Sequence, residues 1–285
     1  MVSPENLHGR NFGSVETVLS VDEVDREAGR LAESAPPLEH LEALAGGQPV
    51  LSVDGLHAGY GRMQILHDFH LRVALGQSLC LIGPNGAGKS TVLHAIYGFA
   101  KINSGTIRVG GADVTRMRPN DKLARASIAY ITQDNSVFAD MTVEENLYMG
   151  GYLMAKSDAA REAAERVFSK YTRLGARRRS RAGVLSGGER RLLEISRALI
   201  MEPKILLVDE PSIGLEPRFI DMVFEILDDL QHNEGKTIVM VEQNAKKGLD
   251  FADIGYVLVS GQLALAGPGP ELLADPAVGR LFLGG

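Results

Sequence analysis

An α/β fold follows from three features of the chain. Continuous apolar runs at "SLCLIG" (78–83) and "KILLVDE" (204–210) read as strands covered on both faces, as in a parallel sheet. The runs "VLSVDGL" (50–56) and "HDFHLRVAL" (67–75) alternate apolar and polar, as half-buried antiparallel strands do. Between roughly 134 and 185 the sequence turns polar and helical before strand–helix alternation resumes. The expectation is a parallel core with an antiparallel β flank and a helical insertion.

Residues 1–48 form a region of their own. They hold nine acidic residues against Arg10, Arg26 and Arg30, a balance of −6 that equals the net charge of all 285 residues. The rest is neutral, so the body offers no general attraction to nucleic acid, which needs a basic face. Ser20 and Glu23 read as a capping box, and Val21, Val24, Ala28 and Leu31 share one helical face before Pro36-Pro37 stops the run. A second short helix is expected over 38–45. The leader reads either as a surface appendage or as a regulatory docking segment.

From Pro49 onward the strands follow one another. After the runs above come "IAYIT" before Gln133, the insertion with its clearest helix over 157–174, then "TIVMVEQ" (237–243). A hairpin over 256–267 turns at Ser260-Gly261. No apolar stretch approaches the roughly 18 residues that cross a bilayer, and no basic segment followed by an apolar run marks a secretory signal. The single cysteine, Cys80, fills a strand and excludes an internal disulfide, which suits a reducing compartment.

Chemistry concentrates in a few stretches. "LIGPNGAGKST" (81–91) breaks a strand into Gly83, Pro84, Asn85, Gly86, Ala87 and Gly88, followed by Lys89, Ser90 and Thr91. That spacing suits a loop whose bare amides and following helix N-terminus cradle nucleotide phosphates. Lys89 supplies a point charge, and Ser90 can hold magnesium. "ILLVDE" puts Asp209 and Glu210 at the C-terminal end of a buried strand, where open α/β sheets bind ligands. Asp209 suits magnesium, directly or through water, and Glu210 suits polarising an attacking water. Gln133 can reach both magnesium and that water through its amide. In "VLSGGERRLLEISRAL" (184–199), Ser186, Gly187 and Gly188 sit at the positive end of a helix, a second anion site that is redundant within a monomer.

In this order, the phosphate loop, Gln133, "LSGGE" (185–189) and "ILLVDE" resemble the ATP-binding subunit of ATP-binding cassette (ABC) transporters over about residues 50–285. The resemblance implies a P-loop NTPase core of ABC ATPase type, with ATP and Mg2+ as ligands and ATP hydrolysis as the activity. It also implies a head-to-tail pair with a second ABC ATPase subunit, the same chain or a paralogue, each ATP lying between one phosphate loop and the other's "LSGGE". Tyr60, in "GYGRMQIL", would stack on adenine. Integral membrane permease subunits, and through them a solute-binding protein, would be the further partners. The chain would then lie peripherally on the cytoplasmic face of the inner membrane. "MTVEENLYMGGY", "DEPSIGLEP", "IVMVEQNAKKGLDFADIGYVL" and "LFLGG" look like the LivF-like branch, which serves branched-chain amino acids and includes urea and amide uptake relatives.

Gln243 stands where most cassette ATPases carry a γ-phosphate-contacting histidine, and Glu216 where many carry aspartate. Glutamine can hydrogen-bond phosphate but carries no proton near neutral pH. A weakly hydrolysing subunit of a heterodimer therefore stays open as an alternative, as does a soluble ABC ATPase outside transport. A generic kinase or GTPase would leave "LSGGE" idle. The stretch 134–152 is a candidate docking surface. Arg177, Arg178, Arg179 and Arg181 read as a solvated or subunit-facing patch.

Overall fold

The computed structural model describes residues 35–133 and 136–282. The helix expected after Ser20 lies outside the described residues, as do the two residues following Gln133. Two sheets make the frame. The first is antiparallel throughout, with β2 (Met63–Val73), β1 (Leu51–Tyr60), β4 (Lys101–Val109) and β5 (Ala112–Asp113) in that spatial order. The second runs β10 (Gln262–Pro268), β9 (Ile254–Val259), β3 (Ser78–Ile82), β8 (Thr237–Val241), β7 (Ile205–Asp209), β6 (Ile128–Ile131). Its strands are parallel except for β10, which closes the expected hairpin through Ser260 and Gly261, both at positive φ.

The continuous apolar runs are explained by what they face. In β3, Leu79 and Leu81 enter a core shared with the antiparallel sheet and helix α2 (Lys89–Tyr97). Cys80 and Ile82 enter a second core on the opposite face. The same alternation divides β7, with Ile205 and Leu207 against Leu206 and Val208, and β8, with Val239 and Val241 against Ile238 and Met240. Every residue of these three strands is buried, so polar alternation would be costly on either face.

Among the described helices, α1 (Leu38–Leu44) is the second leader helix, held to β2 by fully buried Leu41. After α3 (Pro119–Ala126) come α4 (Val143–Gly150), α5 (Ser157–Lys170) and α6 (Thr172–Ala176). The helix expected over 157–174 is thus two, broken at Tyr171 (φ −111, ψ 78). The break turns Leu174 into the core and brings Arg178 back to the Glu144 carboxylate. Periodicity alone does not register such a break. Helices α7 (Gly187–Leu199), α8 (Pro217–His232) and α9 (Ala245–Phe251) cover the second core, and α10 (Gly269–Ala274) and α11 (Pro276–Phe282) finish the described chain. Strands β4 and β5 were not anticipated, because "KINSGTIRV" is mostly polar and finds its place only by pairing with β1.

Lys122 of α3 is fully buried, and its Nζ donates to the Ile96 carbonyl at 2.5 Å, a cation at the C-terminal end of α2. Burial pushes its pKa down to about 8. A lysine whose folded pKa is depressed binds fewer protons folded than unfolded above that value, so stability rises as pH climbs from about 8 toward the ordinary lysine value. Urea unfolding at pH 7 and pH 9.5 should show wild type gaining about 1–2 kcal/mol relative to Lys122→Met across that interval. Equal pH dependence of the two proteins would refute the assignment.

Candidate functional site

The turn from β3 into α2 makes a shallow cradle. Gly83 has φ 146, and a Cβ there would lie 2.1 Å from the Leu258 carbonyl oxygen, so only glycine lets the loop leave the sheet beside β9. Gly88, at φ 98, caps α2. Asn85, Gly86, Gly88, Lys89, Ser90 and Thr91 line a cavity of about 220 Å³ together with Ile65 and Glu210. Pro84 and Ala87 complete the turn, with the Ala87 amide donating to the Pro84 carbonyl. Lys89 is 6% exposed, and its Nζ donates to the carbonyls of Gly83 (2.9 Å) and Pro84 (3.0 Å). Burial pulls its pKa down, against the attraction of Glu210 and Asp209.

Asp209 ends β7 with both oxygens engaged. Oδ1 accepts from Ser90 Oγ at 2.9 Å and Oδ2 from the Tyr130 hydroxyl at 2.7 Å. Tyr130 belongs to β6 and escaped the sequence reading. Its one signal was its place three residues before Gln133 in "YITQ". Burial first, then the Asp209 charge, raises its pKa, so the phenol stays a donor.

Glu210 follows at φ 42, a strained position for a side-chain-bearing residue. Its amide donates to the Val241 carbonyl at 2.9 Å, and its Oε2 accepts from Gln133 Nε2 at 3.0 Å. Desolvation and repulsion from Asp209 raise its pKa, Lys89 opposes them, and Glu242 adds to them. A raised pKa makes this carboxylate a better proton acceptor than an ordinary glutamate. Gln243 is exposed in the turn after β8, and its side-chain amide makes no hydrogen bond among the described residues.

Ser186 caps α7. Its amide and hydroxyl donate to Glu189 Oε2 at 2.9 and 3.0 Å, while the Glu189 amide donates to Ser186 Oγ at 3.3 Å. Gly188 is required by packing, since a Cβ there would lie 2.1 Å from the Phe219 ring, whereas Gly187 is exposed. Gly187 lines a cavity of about 370 Å³ with Gln133, Arg190 and Glu210 that no phosphate-loop residue touches. The fold therefore joins the phosphate loop to Asp209 through Ser90 and to Glu210 through a shared cavity, with Gln133 bonded to Glu210, while Gly187 opens on a cavity that reaches Gln133 and Glu210 but no phosphate-loop residue. Tyr60 ends β1, 41% exposed, its hydroxyl hydrogen-bonded to Nδ1 of His94 on α2.

The loop around Gln133 is gripped by α7 on both sides. Arg191 donates to the Thr132 carbonyl (2.8 Å) and Glu194 Oε2 (3.0 Å), the Ser136 amide donates to Glu194 Oε1 (2.7 Å), and Arg197 donates to the Ser136 carbonyl (2.6 Å). These charged residues read in sequence only as part of an amphipathic helix.

A glycine cradle between a buried parallel strand and a helix, with paired carboxylates at the end of a neighbouring strand, defines a phosphate-loop NTPase. The family model described as "ABC transporter" matches residues 66–213. The chain is 43% identical to the high-affinity branched-chain amino acid transport ATP-binding protein BraG of Pseudomonas aeruginosa, over 83% of this chain and all of that one. It is 35% identical to the probable branched-chain amino acid transport ATP-binding protein LivF of Archaeoglobus fulgidus, over 80% and 96%. The solved ADP conformation of an ATP-binding cassette of an ABC transporter superposes with a TM-score of 0.74 at 28% identity, covering 84% of this chain and 100% of that one. The chain belongs to the ABC transporter family, as an ATP-binding subunit whose activity is ATP hydrolysis.

Proposed function

We propose that this chain hydrolyses ATP to drive an importer of branched-chain amino acids or a related small polar solute such as urea or an amide. The relatives' names support branched-chain amino acids within that range. The observation that carries the mechanism is that Lys89 and Glu210 line the phosphate-loop cleft, with Asp209 bonded to Ser90 of that loop and Gln133 bonded to Glu210. In this reading the amides of 83–91 and Lys89 hold the phosphates, Gln133 fixes Glu210, and Glu210 takes the proton of the attacking water. Gln243 donates a hydrogen bond toward the γ-phosphate, and Tyr60 stacks on adenine.

Ser90, Asp209 and the Gln133 carbonyl offer an all-oxygen donor set. Among the described residues no cluster of three His, Cys, Asp or Glu side chains makes a metal cage. The oxygen donors of Ser90, Asp209 and Gln133 fit magnesium, which is held by one or two protein oxygens together with phosphate and water. When bound, it would neutralise phosphate charge.

The Gly187 end of α7 shares a cavity with Gln133 and Glu210 but with no phosphate-loop residue, which supports a head-to-tail pair in which each chain supplies what the other lacks. The cassette is assigned to 49–285, with a helical subdomain over about 134–185 and residues 1–48 as an extension. A groove of about 340 Å³ lined by Tyr97, Phe138, Met149 and Tyr152 extends the 134–152 docking surface and suits an apolar permease segment. A solute-binding protein is engaged only through the permease. Among the described residues no helix is long and apolar enough to cross a membrane; in the importer reading the chain attaches peripherally at the cytoplasmic face through the permease.

Light scattering tests the pairing. With ATP, Glu210→Gln should hold a stable dimer, while wild type forms dimers that dissociate after turnover. Monomers that bind ATP without pairing in both proteins would overturn self-pairing and require a paralogous subunit.

A further inference from the structure

Behind the reacting edge lies a carboxylate that the mechanism above does not use. Glu242 is 1% exposed. Its Oε1 accepts from Ser212 Oγ at 2.6 Å and from the Asn244 amide at 2.9 Å. Its Oε2 is buried with no partner among the described residues. Such a group is costly to bury, and one well-placed aliphatic side chain would avoid the cost. A carboxyl group in this position points to a task that an apolar residue cannot perform.

The location defines the task. The β7–β8 ladder ends with Asp209 opposite Val241, and one further backbone bond, from the Glu210 amide to the Val241 carbonyl, carries it one step on. Beyond that, the two strands leave in different directions. One becomes the turn through Glu210 and Ser212; the other becomes the turn through Glu242 and Gln243 into α9. The Ser212–Glu242 bond is the side-chain tie between those two turns. The same oxygen holds the Asn244 amide, and Asn244 Oδ1 in turn accepts from the Lys247 amide to cap α9. Gln243 therefore sits between Glu242, tied by its side chain to Ser212, and the Asn244 amide that the same carboxyl oxygen holds, and its own exposed side chain can reach outward. Space for that carboxylate is kept by Gly248, where a Cβ would lie 3.0 Å from Glu242 Cβ and 2.6 Å from Cys80 Sγ.

We propose that Glu242 is a positioning residue that fastens the Gln243 turn to the Glu210 turn through Ser212, so that both side chains meet the same phosphate in register. The inference rests on the reading of Glu210 and Gln243 given above. Because the tie acts on geometry at the γ-phosphate end and not on the cradle at 83–91, its loss separates turnover from binding. The functional atom is Oε1 as an acceptor. A glutamine carbonyl can take its place, whereas alanine cannot.

Steady-state ATPase of the purified full chain tests this, with Glu210→Gln measured alongside. Glu242→Ala should lower kcat by about 10- to 100-fold, the scale of a displaced reacting group, with KM for ATP within about threefold. Ser212→Ala should lower kcat in the same direction. The double variant should be no slower than Glu242→Ala alone, because Glu242→Ala already removes the Ser212–Glu242 bond that Ser212→Ala breaks. Glu242→Gln should restore kcat to within about threefold of wild type. An unchanged kcat in Glu242→Ala, a KM that rises in step with the loss of kcat, or multiplicative losses in the double variant would each overturn the proposal. If Glu242→Ala does not fold, Ser212→Ala and Glu242→Gln decide it by the same criteria. Turnover that falls in Glu210→Gln but not in Glu242→Ala refutes this inference alone. Turnover insensitive to Glu210→Gln removes the reading beneath it as well.

Discussion

Replacing Glu210 by glutamine is expected to slow ATP hydrolysis by about 10²- to 10⁴-fold while ATP binding persists, the scale of losing a general base. That corresponds to about 3–5 kcal/mol of transition-state stabilisation. The substitution is nearly isosteric, and the backbone at φ 42, fixed by the Glu210 amide on Val241, has no reason to move. What disappears is the carboxylate whose basicity is raised by desolvation and by Asp209 beside it. A neutral amide cannot accept the water's proton. It also removes a negative charge from the phosphate cleft, so nucleotide affinity should hold or rise. Phosphate release and titration with a fluorescent ATP analogue measure the two quantities separately. Unchanged turnover in a pure preparation would remove Glu210 from the mechanism, and a parallel loss of binding would show that the site had been deformed.

The second large effect is expected at Lys89. Its ammonium group is almost wholly enclosed, satisfied by the Gly83 and Pro84 carbonyls, and drawn toward Asp209 and Glu210. A lysine held this way is positioned to exchange carbonyl contacts for phosphate oxygens when nucleotide enters. Truncation to alanine removes that charge and leaves two loop carbonyls without their donor. By comparison with other desolvated charge contacts the cost is about 2–5 kcal/mol, or about 30- to 5,000-fold in Kd for ATP. Arginine should not restore binding, because its planar fork does not fit where a compact ammonium is clasped between two adjacent carbonyls. Thermal unfolding without nucleotide provides the control, since a fold left intact with lost ATP binding isolates the phosphate contact. A Kd within threefold of wild type would refute the role.

Much of this was legible locally. The phosphate loop, the "ILLVDE" strand and the capped "LSGGE" helix are short-range patterns, each set by a spacing of fewer than ten residues. The misreadings share a cause in contacts that local pattern does not encode. Tyr171 breaks a run whose apolar spacing suited one helix, and β4 is too polar to announce itself without β1 beside it. No local pattern links Gln133 to Glu210, whose carboxylate lies 3.0 Å from its amide across 77 residues of chain.

By itself, then, the sequence determined which segments would be buried on two faces, where backbone amides would be laid bare for phosphate, and which carboxylates would end a strand. Only the tertiary structure decided that Tyr130 would hold Asp209, that α7 would grip the Gln133 loop at Thr132 and Ser136, and that Glu242 would reach Ser212. The physical reason is sequence separation. Tyr130 and Asp209 stand 79 residues apart and are brought together by the register of β6 on β7, while Ser212 and Glu242 meet across 30 residues where β7 and β8 end. Periodicity and turn chemistry act over a few residues, but strand register is set by the packing of whole sheets.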